Sequence, residues 1–490
     1  MIRRLFSSFI GLPSNPLTSE FFQPRQVQNR ARTFTQRQLD NLNFLFECAP
    51  CFSVNGKSVR VISEPNDFYE TLLRHAATAR SRISMASLYL GVGKMETDLL
   101  KVIQQNSKDN QDLRVNFLLD YTRGTRGKKN SKAMLMPLIK QSQNCVLSLY
   151  HTPLLRGITK RLAPARWNEL LGLQHMKIYL FDDTVVISGA NLSNDYFTNR
   201  QDRYIEIEDH KLANFFSSLI EKVQEFSLQV DDKGEVKLHD SWKLLPYESD
   251  QVAFTDEANK RMQGFFTKTF EDQRKQFDEA TTADTWIFPT LEMGQLNIHH
   301  DSVVMKRILM NVEKDSKLSM ATGYFNLTQN LMDTIVSECE ANCSVIMSHP
   351  SCNGFKGAKG PAGGIPDAYT LIARQFYEKI KQKGQENRIA LLEYERADWT
   401  YHAKGLWYYA ADSPLPCMTV IGSSNYGERS VNRDLESQLC LVTANEALQK
   451  SLKAEYDHLA QFATSAESEL EKRFVPQWVK TVVFLFKNFF

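Results

Sequence analysis

The chain has no long hydrophobic run. None of its apolar stretches reaches the ~20 residues that cross a bilayer, so no transmembrane helix is expected. A dominant charge is also missing, because 59 Lys and Arg against 57 Asp and Glu leave a net charge of +2. That balance argues against the broad basic track of a nucleic-acid binder, and any electrostatic targeting has to be local. Cysteine is present without a framework. Cys48 and Cys51 form the one C-x-x-C pair among eight scattered cysteines, no second pair completes a zinc site, and reduced thiols in a non-secreted compartment are expected, with no metal.

The first 40 residues lack lysine and carry only Glu20 and Asp40 as acids, while six arginines (Arg3, Arg4, Arg25, Arg30, Arg32 and Arg37) stand among Ser and Thr. This is the composition of a mitochondrial presequence, with a disordered basic arm as the alternative. At the other end VPQWVKTVVFLFKNFF, 475–490, is aromatic but punctuated by Lys480 and Lys487. It reads as an in-plane interfacial anchor giving peripheral membrane association, or as a terminal helix docked on the protein's own core.

Between these ends lies a duplication. The stretch QHMKIYLFDDTVVISGANLSNDYFTNRQD contains His175 and Lys177, two residues apart, then an apolar run, Gly189 and Asn191. Alternation along an extended chain would project His175 and Lys177 from one face. The same grammar recurs 227 residues on in YHAKGLWYYAADSPLPCMTVIGSSNYGERSVNRDLE, with His402, Lys404, Gly422, Ser424 and Asn425. A carboxylate follows each asparagine by 11 positions, Asp202 in one copy and Glu436 in the other. Upstream, SRISMASLY (81–89) matches SKLSMATGY (316–324), and the strand pairs 114–121 with 343–349 and 145–151 with 388–395 precede each motif. Strands alternating with helical patterns predict α/β units with mixed, largely parallel sheets flanked by helices. The expected segments are a leader and arm over 1–43, a first unit over 44–245, a helical connection over 246–297, a second unit over 298–473 and the tail over 474–490, with one composite site between the halves.

H-x-K, then G-x-x-N or G-S-x-N, then a carboxylate, present twice in one chain, resembles the phospholipase D superfamily. Asp182 stands seven residues after His175, where that family has an aspartate supporting the motif, whereas the second copy has Tyr409. The resemblance implies chemistry on a phosphodiester. His175 would attack phosphorus and His402 would act as general acid and base. Lys177, Lys404, Asn191 and Asn425 would hold the non-bridging oxygens, and Asp202 and Glu436 would orient the imidazoles. The doubled motif is symmetric and does not by itself choose between the histidines. No cofactor is required by this scheme, and divalent-cation stimulation stays open.

Two glycine-rich basic loops follow equivalent strands: TRGTRGKKNSK with Arg123, Arg126, Lys128 and Lys129, and NGFKGAKGPAGG with Lys356 and Lys359. An insert over 154–172 adds Arg156, Lys160, Arg161 and Arg166. Together they favour a phosphate-rich substrate over merely solvated loops. With the leader and the tail they resemble the eukaryotic phosphatidylglycerophosphate synthase branch of the superfamily, over about residues 45 to 465. That implies CDP-diacylglycerol and glycerol 3-phosphate as substrates, a place in cardiolipin synthesis and the matrix side of the mitochondrial inner membrane. A serine-accepting synthase, a lipid hydrolase, a nuclease and a non-catalytic membrane scaffold are the alternatives.

Overall fold

The computed structural model describes residues 34, 37–157, 171–275 and 283–486. The expected leader up to residue 33, most of the basic insert (158–170) and the last four residues lie outside them. Two large sheets, each flanked by helices, carry the chain. The first runs, edge to edge, through Val236–Leu238, Leu228–Val230, Cys145–Tyr150, Arg114–Asp120, Arg82–Ala86, Ile178–Phe181, Thr184–Ser188, Tyr204–Glu208 and Val59–Ile62. The second repeats this order with Ala463–Ser465, Ile389–Tyr394, Asn342–Ser348, Lys317–Thr322, Gly405–Tyr409, Met418–Gly422, Leu435–Thr443 and Thr285–Met293. The duplication legible in the sequence is therefore a duplication of topology.

The sheets are mixed, but less parallel than expected. In each, only the three strands before the motif pair in parallel, and the rest pair antiparallel. The reason is local. After the first motif the chain turns back through Asp182 and Asp183, joining Ile178–Phe181 to Thr184–Ser188 as a hairpin, and Asp182 takes the left-handed conformation (φ 50°) that Asp tolerates.

Two segments lie on the other side of the expected boundaries. Phe52–Val54, assigned by sequence to the first unit, pairs with Thr285–Met293 in the second sheet. Thr285–Met293 itself falls in the expected helical connection, yet it is paired along all nine residues with Leu435–Thr443 and is buried throughout. The helix expected in the connection is present as Gln251–Lys275. The apolar spacing over 445–473 predicts one closing amphipathic helix, but the helix is shorter, Glu446–Ala460, and a strand, Ala463–Ser465, separates it from a second helix, Glu467–Lys472. Leu448, Leu452, Tyr456 and Leu459 form its buried stripe as expected, and Phe462 is half-buried beyond its end. All eight cysteines are buried, and none is disulfide-bonded.

One buried ion pair ties the halves together. Arg203 of the first half, fully buried, donates Nε and Nη2 at 2.9 Å each to the Glu455 carboxylate in the second. It also donates to Val420 O (2.9 Å) and Thr419 Oγ1 (2.7 Å) and lies 3.8 Å from the Trp407 ring centroid. Gly405 (φ 130°) makes room, because a Cβ there would stand 2.2 Å from the guanidinium. Removing one partner leaves an uncompensated buried charge, so Arg203→Met is expected to destabilise the protein by about 3–5 kcal/mol in denaturant unfolding. A change below about 1 kcal/mol, the worth of a surface pair, would show that the halves do not depend on it.

Candidate active site

The two motifs approach through exchanged backbone pairing. Ahead of the first motif strand, His175 N donates to Leu435 O (2.9 Å) and Leu435 N to Leu173 O (2.8 Å). Ahead of the second, Thr400–Tyr401 pairs in parallel with Arg200–Gln201, and His402 N donates to Gln201 O (2.8 Å). Each motif is thus stitched to the segment that carries the other half's carboxylate.

The side chains follow. His175 Nδ1 lies 2.9 and 3.0 Å from the two carboxylate oxygens of Glu436, and His402 Nδ1 lies 2.6 Å from Asp202 Oδ2. Each imidazole is anchored by the carboxylate of the opposite copy, which fixes Nδ1 as the protonated nitrogen and turns Nε2 outward for chemistry. The carboxylates were expected to orient the imidazoles; the crossing was not legible. Gly189 allows the close approach, since a Cβ there would stand 2.6 Å from Asp202 Oδ1 and 2.9 Å from Lys404 Nζ.

Both lysines fold back on their own motif. Lys177 Nζ donates to His175 O (2.6 Å) and Lys404 Nζ to His402 O (3.0 Å), both fully buried. Asn191 Nδ2 donates to the Tyr196 hydroxyl (3.2 Å), which lies 3.2 Å from His402 Nε2. Asn425, 8% exposed, is held through its backbone: its N–H donates to Ser430 Oγ and its carbonyl accepts from Thr322 Oγ1. His175, Lys177, Asn191, Asp202, His402, Lys404, Asn425 and Glu436 are all buried around one composite site.

No family model matches the chain. Its curated relatives decide the matter. The mitochondrial CDP-diacylglycerol–glycerol-3-phosphate 3-phosphatidyltransferase of Gallus gallus is 43% identical over 475 residues, covering 90% of this chain and 85% of that protein. That of Homo sapiens is 43% identical over 471 residues, covering 90% and 84%. The Saccharomyces cerevisiae enzyme is 34% identical over 485 residues, covering 92% and 91%. The chain belongs to this phosphatidyltransferase family. Among solved structures, the phosphatidylserine synthase of Haemophilus influenzae superposes with a TM-score of 0.68 over 92% of this chain and 97% of that one, at 19% identity, a likeness of fold alone.

One residue of the expected catalytic set stands elsewhere. In this phosphatidyltransferase Asp182 accepts from the backbone N–H groups of Arg80, Ser81 and Arg82 and from Ser81 Oγ, at 2.7–3.1 Å. It clamps the hairpin to the start of the neighbouring strand and touches neither imidazole's carboxylate. Tyr409, its counterpart, is buried under Lys317, whose Nζ lies 4.9 Å from the ring. The basic loops border the site unevenly. Arg123 lies 4.6 Å over the Tyr89 ring, whose hydroxyl reaches Ser193 Oγ (3.3 Å), and Arg126 is half-buried in the same loop. Lys128, Lys129, Lys356 and Lys359 are exposed, and Phe355, next to Lys356, packs on Tyr324 with ring centroids 5.5 Å apart.

Sequence reasoning missed Tyr196 and Tyr324, whose rings meet His402 edge-on at 5.1 and 5.4 Å. It also missed Arg200, Arg429 and Asp434. These are findable only as equal offsets from the two asparagines. Donor atoms of His175, Asp434 and Glu436 lie within 4.8 Å of one another, a spacing that a metal ion could use. The donors are already committed, His175 to Glu436, and Asp434 to Arg429 Nε (2.8 Å) and Leu173 N (3.0 Å).

Burial sets the electrostatics. It pushes both histidines well below the ordinary range, reinforced by Lys177 at His175 and Lys404 at His402, so the resting imidazoles are neutral. Burial would raise Asp202, but Lys404 and His402 hold its carboxyl below the usual range, while burial prevails at Glu436 and raises it. Burial lowers Lys404 to about 8, against Asp202. Its charge is lost as pH rises through that value, and with it a cation facing the site. The kcat/KM of this phosphatidyltransferase is therefore expected to fall along an alkaline limb near pH 8 that is absent in Lys404→Arg, provided that variant retains measurable turnover. A wild-type profile flat to about pH 10, the ordinary lysine range, would contradict the assignment.

Proposed function

We propose that the chain transfers the phosphatidyl group from CDP-diacylglycerol to glycerol 3-phosphate through a phosphohistidine. The observation that carries this reading is the pair of crossed imidazole–carboxylate contacts in a chain whose relatives are named for that reaction. His175 Nε2 attacks the phosphorus bearing the diacylglycerol, and the bond to the CMP oxygen breaks. The hydroxyl of glycerol 3-phosphate then attacks the phosphatidyl-histidine, His402 takes its proton, and His175 is released with phosphatidylglycerophosphate as product. Lys177, Lys404 and the two asparagines stabilise the charge that builds on the non-bridging oxygens. A nucleotide phosphate is a stable leaving anion, so the first step makes little demand on an acid. The second needs a base, and a histidine held neutral by burial suits it. No protein-held metal enters the scheme; a stimulating divalent ion would act on the pyrophosphate of the donor.

We further propose that the protein lies on the matrix face of the mitochondrial inner membrane. No helix of the described residues is long and apolar enough to cross a membrane. The C-terminal helix Gln477–Phe486 with the residues leading into it combines both earlier readings, since Val475, Val479 and Val483 pack inward while Phe474 (80% exposed), Trp478 (49%) and Phe484 (68%) face out. A row of exposed aromatics beside Lys480 suits the headgroup boundary.

With CDP-diacylglycerol in detergent and glycerol 3-phosphate, serine or water as sole acceptor, CMP release is expected only with glycerol 3-phosphate and is expected to drop to background in His175→Ala. Productive serine would replace the acceptor assignment, and phosphatidic acid formed regardless of acceptor would mean a hydrolase. On cardiolipin-containing vesicles, Phe474→Ser with Phe484→Ser is expected to weaken sedimentation about tenfold or more, given the apolar area removed, while turnover in detergent persists. Unchanged sedimentation would remove the tail from the membrane.

A further inference from the structure

Each half carries an ion pair at the same two offsets from its motif asparagine, four and nine residues on, with the signs exchanged. In the first half Asp195 pairs with Arg200 (3.6 Å), and in the second Arg429 pairs with Asp434 (2.8 Å). The two histidines therefore have unlike flanks. Beside His175 stands the carboxylate of Asp434, bound to Arg429. The pseudosymmetric position beside His402 holds a guanidinium. Arg200 lies 4.7 Å over the Tyr196 ring, and the hydroxyl of that tyrosine is 3.2 Å from His402 Nε2.

Arg200 is built in, hydrogen-bonded to the Tyr196 side chain as well, yet part of it still reaches the surface. Its side chain is 14% exposed, Nε donates to Thr400 Oγ1 (3.0 Å), and its carboxylate partner Asp195 is itself 62% exposed at 3.6 Å. The second basic loop closes over it, because a Cβ on Gly354 would stand 3.2 Å from Arg200 Nη2 and 3.1 Å from the Tyr324 hydroxyl. Arg429, in contrast, shares a short hydrogen bond with Asp434.

We propose that Arg200 is the specificity-determining residue that binds the remote phosphate of the acceptor, and that the exchanged ion pairs mark the His402 side as the path of leaving group and acceptor. The inference rests on the transfer reaction proposed above. An in-line displacement sends the leaving group away from the nucleophile and brings the acceptor in along the same path, next to the acid/base. Glycerol 3-phosphate carries its phosphate three carbons from the attacking hydroxyl, and Arg200 stands one tyrosine ring beyond His402. A doubly charged phosphate is matched by a guanidinium fork, whereas a neutral acceptor gains nothing from it.

Acceptor kinetics of the full chain with glycerol 3-phosphate and with glycerol test this, alongside exchange of labelled CMP into CDP-diacylglycerol, which reads the first half-reaction without an acceptor. Arg200→Gln is expected to lower the preference for glycerol 3-phosphate over glycerol about 10- to 100-fold, mainly through KM, the worth of one charge-assisted hydrogen bond. Arg200→Lys should restore part of that preference. Asp195→Asn, an exposed change that removes the competing carboxylate, should lower the KM for glycerol 3-phosphate. Equal losses in exchange and with both acceptors, without rescue by lysine, would reduce Arg200 to a structural role and overturn the inference, as would a raised KM in Asp195→Asn. A wild-type protein that exchanges CMP but transfers to serine or water instead would refute the acceptor reading itself.

Discussion

Two short hydrogen bonds between imidazole and carboxylate, one from each half to the other, are the constraint around which the molecule is arranged. A histidine in an apolar interior has no reason to hold a single orientation unless a buried acceptor fixes it, and a buried carboxylate is costly unless something donates to it. Each group here meets the other's need. The exchanged backbone pairing before each motif, the missing side chain at Gly189 and the Arg203–Glu455 pair all serve to bring the halves close enough for that exchange. Neither half could complete its own pair, because the chain segment reaching each histidine comes from its partner.

The pseudosymmetry is kept where the chemistry needs two of a kind and broken where it needs two different things. Topology, histidines, lysines and asparagines are repeated. The clamp after the first motif, Asp182, is replaced in the second by Tyr409, buried with Lys317 over its ring. The ion pairs four and nine residues beyond the asparagines are repeated with exchanged sign, giving one imidazole an anionic flank and the other a cationic one. A reaction with distinct nucleophilic and acid–base sides calls for such a difference.

The edge of the second half joins the surface to the site. Gly364, in the loop after Lys356 and Lys359, lies against Trp478 of the C-terminal helix, and the same loop packs through Phe355 on Tyr324, which meets His402. Exposed aromatics, exposed lysines and the second imidazole are thereby linked through consecutive contacts. On the membrane placement proposed above, a lipid donor with its headgroup at the imidazoles and its acyl chains in an apolar phase would enter along this edge.

The strands, the duplication and the eight side chains that the structure gathers at one place were legible because they are local. Strand periodicity, turn chemistry and the offsets within a motif are properties of neighbouring residues, and two copies in register make chance an inadequate account. The sequence by itself thus determined that two equal constellations exist, and similarity to known phosphatidyltransferases accords with what they resemble. The tertiary structure alone decided how they combine: that the carboxylates cross, that Phe52–Val54 and Thr285–Met293 complete the second sheet, that antiparallel pairing prevails, and that Asp182 braces a hairpin. The partners in the two deciding hydrogen bonds are 261 and 200 residues apart in the chain. Local preference carries no information over such separations, because there the choice is made by which buried groups can satisfy each other once the halves have packed.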